Sequence, residues 1–194
     1  MCIRDSNNTT SIDCSVSVVD GLDPVAVCPT TATIVSLDAD GMGSLAADAL
    51  VGMSTDNCSV ASETSPATTY SCEDLGTQTV TLTVVDGSTN TTSIDCSVSV
   101  VDGIAPVAVC PTTATIVSLD ADGIGSLAAD ALVGSSTDNC SVASETSPAA
   151  TYSCEDIGTQ TVTLTVVDGS NNTCLLYTSP SPRDATLSRM PSSA

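Results

Sequence analysis

Thr79-Val-Thr-Leu-Thr-Val-Val85 alternates threonine with aliphatic residues. Successive side chains of a strand point to opposite faces, so Val80, Leu82 and Val84 share one face and the threonines line the other. The same alternation runs through Ile94, Cys96, Val98 and Val100, which turns Cys96 toward the core. Asp86-Gly87 sits between these two runs and reads as a hairpin turn. Upstream, residues 25–28 and 31–37 read as shorter strands, Asp40-Gly41 as another hairpin turn, and residues 46–50 as a single helical turn. Many short strands separated by turn signals predict an all-β chain of sandwich type.

The pattern repeats. Ser11-Ile-Asp-Cys-Ser-Val-Ser-Val-Val-Asp-Gly21 returns at Ser93, Pro24-Val-Ala-Val-Cys-Pro at Pro106, Ser54-Thr-Asp-Asn-Cys58 at Ser136, and Tyr70-Ser-Cys-Glu-Asp at Tyr152, always 82 residues later. A period this long exceeds the ~20–50 residues of a solenoid repeat and suits a small autonomous domain. The expected organisation is the last strand of one unit in residues 7–20, a complete second unit in residues 21–102, and a third in residues 103–173 that stops before its last strand.

The two ends read differently. Met1-Cys-Ile-Arg-Asp-Ser6 and the stretch from Cys174-Leu-Leu-Tyr-Thr-Ser-Pro-Ser-Pro-Arg-Asp184 through Ser188-Arg-Met-Pro-Ser-Ser-Ala194 resemble translated sequencing-adapter DNA. Residues 1–6 and 174–194 are therefore expected to be foreign to the protein. All three basic residues, Arg4, Arg183 and Arg189, lie there. Residues 7–173 thus contain no Lys, Arg or His, and setting aside Asp5 and Asp184 leaves 21 of the 23 acidic residues, a charge near −21.

That charge argues against nucleic acid and anionic lipid as partners, because both need a basic footprint. Cations and basic partners suit it. Without His, Lys or Arg there is no conventional base for acyl transfer and no phosphate clamp, so the expectation is a protein that is not an enzyme. Paired carboxylates of the glycosidase kind would lie in turns, with one Tyr per unit, Tyr70 or Tyr152, to hold a sugar. No apolar run approaches the ~18 residues needed to cross a membrane. Asn-x-Ser/Thr sequons, at Asn8 and Asn90 for example, matter only in a host that glycosylates.

Each unit carries four cysteines, Cys28, Cys58, Cys72 and Cys96, with Cys110, Cys140 and Cys154 as copies in the third unit. Zinc binding would call for close C-x-x-C pairs or histidines, and neither occurs. A catalytic thiol needs a basic microenvironment. Disulfides are the remaining use, and they place the protein outside the cytosol. Four cysteines allow three connectivities, and the spacing alone does not choose among them.

Pro24-Val-Ala-Val-Cys-Pro29, Thr55-Asp-Asn-Cys58, Tyr70-Ser-Cys-Glu-Asp-Leu-Gly76 and Thr79-Val-Thr-Leu-Thr-Val-Val-Asp86, followed by the Cys96 strand, together resemble the hyalin-repeat (HYR) domain, and most closely its tandem form in large secreted bacterial surface proteins. The resemblance covers nearly all of residues 7–173. It implies tandem immunoglobulin-like sandwiches related to fibronectin type III, with adhesive or spacer roles. It also implies intradomain disulfides Cys28–Cys96 and Cys58–Cys72, with Cys140–Cys154 in the third unit. Cys110 would then lack a partner, and Cys14 would be the last-strand cysteine of a preceding unit. The absence of Lys departs from the family, whose surfaces usually carry it.

Asp38-Ala-Asp40-Gly, copied at Asp120, faintly resembles a calcium loop, but Met42 stands at the third ligand position and Ala49 where the closing Glu belongs. A plain turn is the better reading. Asp56-Asn57, Glu73-Asp74 and Asp86 are placed together at one end of the sandwich, where turn and cap chemistry accounts for them. The alternative expectation is calcium bridging these loop carboxylates, so Asp38, Asp40, Asp56 and Asp86 are the metal candidates. No other cofactor is expected.

The expected function is a non-catalytic extracellular stalk, spacer or adhesive module whose partners are neighbouring repeats and a surface glycan or protein. A calcium-dependent ligand-binding module and an accessory part of a secreted hydrolase are the alternatives. The near identity of the copies, which around Asp56 and Asp138 differ mainly by Met53 against Ser135, favours the stalk.

A unit without Phe or Trp has little apolar surface to bury. In the chain-entropy model a disulfide closing the Cys28–Cys96 loop contributes about 4 kcal/mol, a large part of a small domain's stability. Reduction is therefore expected to unfold the units, and thermal melts with and without reductant check this: an unchanged midpoint contradicts it.

Overall fold

The computed structural model describes residues 11–177; residues 1–6 and 178–194 of the adapter-like ends lie outside the described residues. The described chain is all-β, with two 3-10 turns and no α-helix. In the second unit β1 (Thr33–Ser36), β3 (Val60–Thr64), β5 (Gly76–Asp86) and β6 (Thr91–Val101) form one sheet in the order β1-β6-β5-β3, and β2 (Met42–Leu45) pairs with β4 (Thr68–Ser71) in another. The β5–β6 hairpin is antiparallel from Gly76↔Val100 to Val85↔Thr91, whereas β1 joins the edge of β6 in parallel.

The alternating faces of β5 and β6 make the core. Leu82, Val84 and Val98 are fully buried, and Val80, Cys96 and Val100 nearly so. Val35, Leu37, Leu45, Leu50 and Tyr70 close over them from the remaining segments. The outer face pairs polar residues across the strands, with Thr81 Oγ1 donating to Asp95 Oδ1 at 2.8 Å and Thr83 Oγ1 lying 3.1 Å from Ser93 Oγ. Such pairs contribute a few tenths of a kcal/mol, about 0.2–1 each, so the buried face dominates.

Two sequence expectations are corrected. The turn at Asp40-Gly41 is tight, with Asp38 N donating to Met42 O at 2.8 Å, but it closes no hairpin. It passes the chain from one sheet to the other, because β1 takes β6 as its partner and β2 takes β4. Residues 46–50 form no helical turn. Asp48 has φ +59°, outside the helical region, and is tied to Ser65 by its amide and its carboxylate.

The third unit repeats this arrangement in part. β7 (Gly125–Leu127) pairs with β9 (Ala150–Tyr152), and β8 (Val142–Thr146) with β10 (Thr163–Asp168). At the place of β6 stands β11 (Thr173–Tyr177), which pairs with residues 163–167 of β10 and runs to the end of the described residues. The counterpart of Cys96 is Thr178, outside the described residues, and Cys110 is a thiol. Residues 115–118, the copy of β1, form no strand among the described residues; the counterparts of its partners Val98 to Val101 fall at 180–183, outside the described residues.

Leu82→Ala is expected to destabilise the second unit by about 2–5 kcal/mol, the usual cost of emptying a packed leucine site. Ile116→Ala, at a position 84% exposed, should change stability by less than about 0.5 kcal/mol. Urea denaturation of the two variants checks this contrast.

Candidate functional site at the junction between units

Both ends of each unit are built for a neighbour. At the end where the second unit meets the third, Ser71 caps a 3-10 turn (Cys72–Asp74), its hydroxyl accepting from Glu73 N while Asp74 Oδ2 accepts from Ser71 N at 2.8 Å. This box fixes Cys72 beside Gly41, whose carbonyl lies 3.7 Å from the sulfur. From the third unit, Asn139 donates Nδ2–H to Asp38 O at 3.1 Å and to Asp102 Oδ1 at 3.2 Å. The next residue, Cys140, forms a disulfide with Cys72, with Cα atoms 5.4 Å apart. Gly41 is required here: its φ is +72°, and a Cβ would sit 2.7 Å from Cys72 Sγ and 2.8 Å from Asn139 O.

This pairing corrects the expectation of Cys58–Cys72 and Cys140–Cys154. Cys28 is joined to Cys96 within the second unit, but Cys58 and Cys154 are thiols. The reason is the length of β5. Cys72 lies just before its start, while Cys58 lies near its end, where Gly87 N donates to Ser59 O at 3.2 Å. Eleven extended residues span about 35 Å, and a disulfide needs Cα atoms within about 7 Å. The two cysteines stand at opposite poles of one unit, so each faces a different neighbour.

Three carboxylates converge at the same junction. Asp102, Asp138 and Asp168 each bring an oxygen to within 4.8 Å of the others, and Asp20, Asp56 and Asp86 do the same 82 residues earlier. Asp102 follows the last strand of the second unit, whereas Asp138 and Asp168 belong to the third. Asp168, 2% exposed, accepts through Oδ1 from Ser170 N and Asn172 N, both at 2.8 Å. Asn172 in turn donates to Asp168 Oδ2 at 2.8 Å and to the carbonyls of Asp102 and Ile104, which clamps the connecting segment. Asn90 clamps Asp20 and Leu22 in the same way. Asp138 Oδ2 caps the amides of Cys140 and Ser141. The opposite oxygens are left over: Asp102 Oδ2 and Asp138 Oδ1 are buried without a hydrogen-bond partner, as are Asp20 Oδ2, Asp56 Oδ1 and Asn139 Oδ1.

Of the four metal candidates, the structure brings together Asp56 and Asp86 and adds Asp20. Asp38 and Asp40 stay in their turn, where Asp38 Oδ1 accepts from the amides of Asp40 and Met42, each at 3.0 Å. Glu73 and Asp74 lie in the 3-10 turn at the other pole, where Asp74 Oδ2 accepts from Ser71 and the Glu73 amide donates to the Ser71 hydroxyl. Asp20 and Asp102 escaped sequence reasoning because they end a strand and belong to the neighbouring unit. The signal that could have found them is the recurrence of Val-Val-Asp-Gly after both long strands.

Hydrogen bonding tunes these groups. The Leu22 amide, then Asn57, holds the Asp20 carboxyl below its ordinary value. The Cys58 thiol is pushed up by a hydrogen bond to Asp20, by the Asp20 charge, by burial and by Asp56 and Asp86. Glu145 braces the loop carrying Asp138, accepting from Ser136 N at 2.8 Å and Gly134 N at 3.0 Å; a hydrogen bond to the Ser136 side chain, against burial, and then these two amides hold its pKa down. Burial of Glu63 pushes the other way but is outweighed by Ser54 and Gly52, so its pKa is also lowered.

No family model, curated protein or solved structure matches this chain.

Two predictions follow from this geometry. Cleavage after Glu of the unreduced monomer should release residues 146–155, with Cys154, as an unlinked peptide; mass spectrometry finding it bound to the Cys140 peptide would contradict the assignment. Carboxylates with lowered folded-state pKa stabilise above the unfolded value, 4.5 for Glu63 and Glu145, and lose that contribution as pH falls through the folded value. The melting midpoint should therefore drop between about pH 5 and pH 3, and Glu63→Gln with Glu145→Gln should flatten that slope.

Proposed function

We propose that the chain is a non-catalytic extracellular repeat module, immunoglobulin-like and of the hyalin-repeat kind, that works as a stalk or adhesive spacer with units held in line by a staple and a divalent cation, calcium. The observation that carries this reading is the junction itself. Units joined by a short linker alone would swivel; here the Cys72–Cys140 disulfide and an asparagine clamp fix both sides of it. A disulfide is durable only in an oxidising compartment, which supports a location outside the cell. No helix among the described residues is long and apolar enough to cross a membrane.

The cation reading rests on chemistry. Calcium takes six to eight oxygen ligands, carboxylate and amide oxygens among them. The cluster offers Asp102, Asp138 and Asp168, and Asp102 is 8% exposed with one oxygen unpartnered. Buried polar atoms are normally satisfied, so partnerless oxygens beside converging carboxylates call for a positive ligand. Residues 7–173 contain no basic side chain to supply it. Asp102, Asp138 and Asp168 would hold the ion, and it would bind the second unit to the third.

Calcium at ten times its Kd is expected to raise the melting midpoint by about 5–10 °C over a chelator-treated sample. Asp102→Asn with Asp20→Asn should remove most of that shift. A midpoint indifferent to calcium would overturn the cation reading, and small-angle scattering with freely hinged units in the oxidised protein would overturn the stalk.

A further inference from the structure

Three consecutive residues of the third unit make three different links across the junction. Asp138 brings a carboxylate oxygen within 4.8 Å of those of Asp102 and Asp168. Asn139 donates to Asp38 O and to Asp102 Oδ1. Cys140 is bonded to Cys72. The loop is tied to itself: Asp138 Oδ2 accepts from the amides of Cys140 and Ser141 at 2.9 and 3.0 Å, so the carboxylate and the sulfur move together. The receiving groups of the second unit are joined as well. Leu37 N donates to Val101 O at 2.9 Å, one residue before both Asp38 and Asp102, and Cys72 Sγ lies 3.7 Å from Gly41 O in the turn that follows Asp38.

Charge decides which way this loop is pushed. Closing the junction brings Asp102 of one unit against Asp138 and Asp168 of the other, and like charges at this range repel. No basic side chain in residues 7–173 offsets them. A divalent cation on the three carboxylates turns the repulsion into attraction, and by holding Asp138 on Asp102 it holds Cys140 at Cys72. Two groups held together in this way react at a raised effective concentration. The cluster forms without a staple beside it. Asp20, Asp56 and Asp86 converge in the same manner although Cys58 is a thiol, and Asp56 Oδ2 accepts from the amides of Cys58 and Ser59 at 2.9 and 3.0 Å.

We propose that calcium at Asp102, Asp138 and Asp168 controls the Cys72–Cys140 disulfide, so that the junction is a cation-gated redox lock. The lock rests on the cation reading above and adds its consequence for the cysteines. Calcium binds first and docks the loop, and the staple then closes. Closure passes two protons and two electrons from the Cys72 and Cys140 thiols to a small-molecule disulfide such as oxidised glutathione, whose S–S bond breaks to leave two thiols. Linkage makes the control reciprocal: the factor by which calcium favours the staple is the factor by which the staple favours calcium. Stripping the calcium leaves a staple that thiols reduce more readily, and reducing the staple loosens the calcium. The Cys28–Cys96 disulfide stands apart from this coupling, because Cys96 lies in mid-strand, about 20 Å before Asp102.

The test uses the full chain with its six other cysteines replaced by serine and with Asp20→Asn, which leaves two disulfides and the junction cluster intact. The protein is equilibrated in glutathione redox buffers with calcium or with a chelator and quenched by alkylation, and each disulfide is quantified by peptide mapping. Saturating calcium is expected to raise the equilibrium constant for Cys72–Cys140 about fivefold or more, while Cys28–Cys96 changes by less than about twofold. Calorimetric titration should show calcium binding the stapled protein more tightly, by the same factor, than the variant with Cys72→Ser and Cys140→Ser. Asp102→Asn should abolish both effects. Calcium that binds yet leaves the Cys72–Cys140 equilibrium unchanged, that shifts both disulfides alike, or that still acts after Asp102→Asn overturns the lock and leaves the cation reading standing. A titration without calcium binding overturns both.

Discussion

The long β5–β6 ladder is the constraint on which the rest depends. It buries Leu82, Val84 and Val98 completely, and it offers the free edge on which β1 assembles. In the third unit the described part of this ladder pairs residues 163–167 with β11, the copy of β1 forms no strand, and Cys110 is a thiol. Leu164 and Val166 are still fully buried, so the neighbouring strands carry part of the core on their own.

The same ladder sets the length of a unit and thereby the logic of its cysteines. A strand about 35 Å long places its two ends beyond the reach of any disulfide between them. Cys72 and Cys58 must look outward, in opposite directions. One disulfide, Cys28–Cys96, closes the second sandwich and the other, Cys72–Cys140, crosses to the third, so that covalent continuity runs through the folded units as well as along the backbone. The carboxylates follow the same division: Asp102 arrives from one unit, and Asp138 and Asp168 from the next. A cluster shared in this way is assembled only when the units are docked, so the cation proposed for it would couple binding to docking.

The acidity of the chain takes on a local meaning here. Most of its carboxylates are spent on backbone amides in turns and caps, as with Asp38, Asp74 and Glu145. The junction differs because Asp102 and Asp138 each satisfy amides or Asn139 with one oxygen and leave the other buried and bare. Charge count alone does not separate these two uses.

The sequence by itself determined the all-β character, the faces of β5 and β6, and the burial of Cys96, because a period of two is a local property of the chain and apolar side chains have one place to go. It also showed the 82-residue recurrence and hence which residues are equivalent. What only the tertiary structure decided was everything that joins equivalent positions in different units. The pairing of Cys72 with Cys140, the gathering of Asp20 with Asp56 and Asp86, and the passage of the Asp40-Gly41 turn between sheets all depend on which strands are neighbours and how far apart their ends lie. Those distances are fixed by strand length and pairing order, and the periodicity of a single strand carries no record of them.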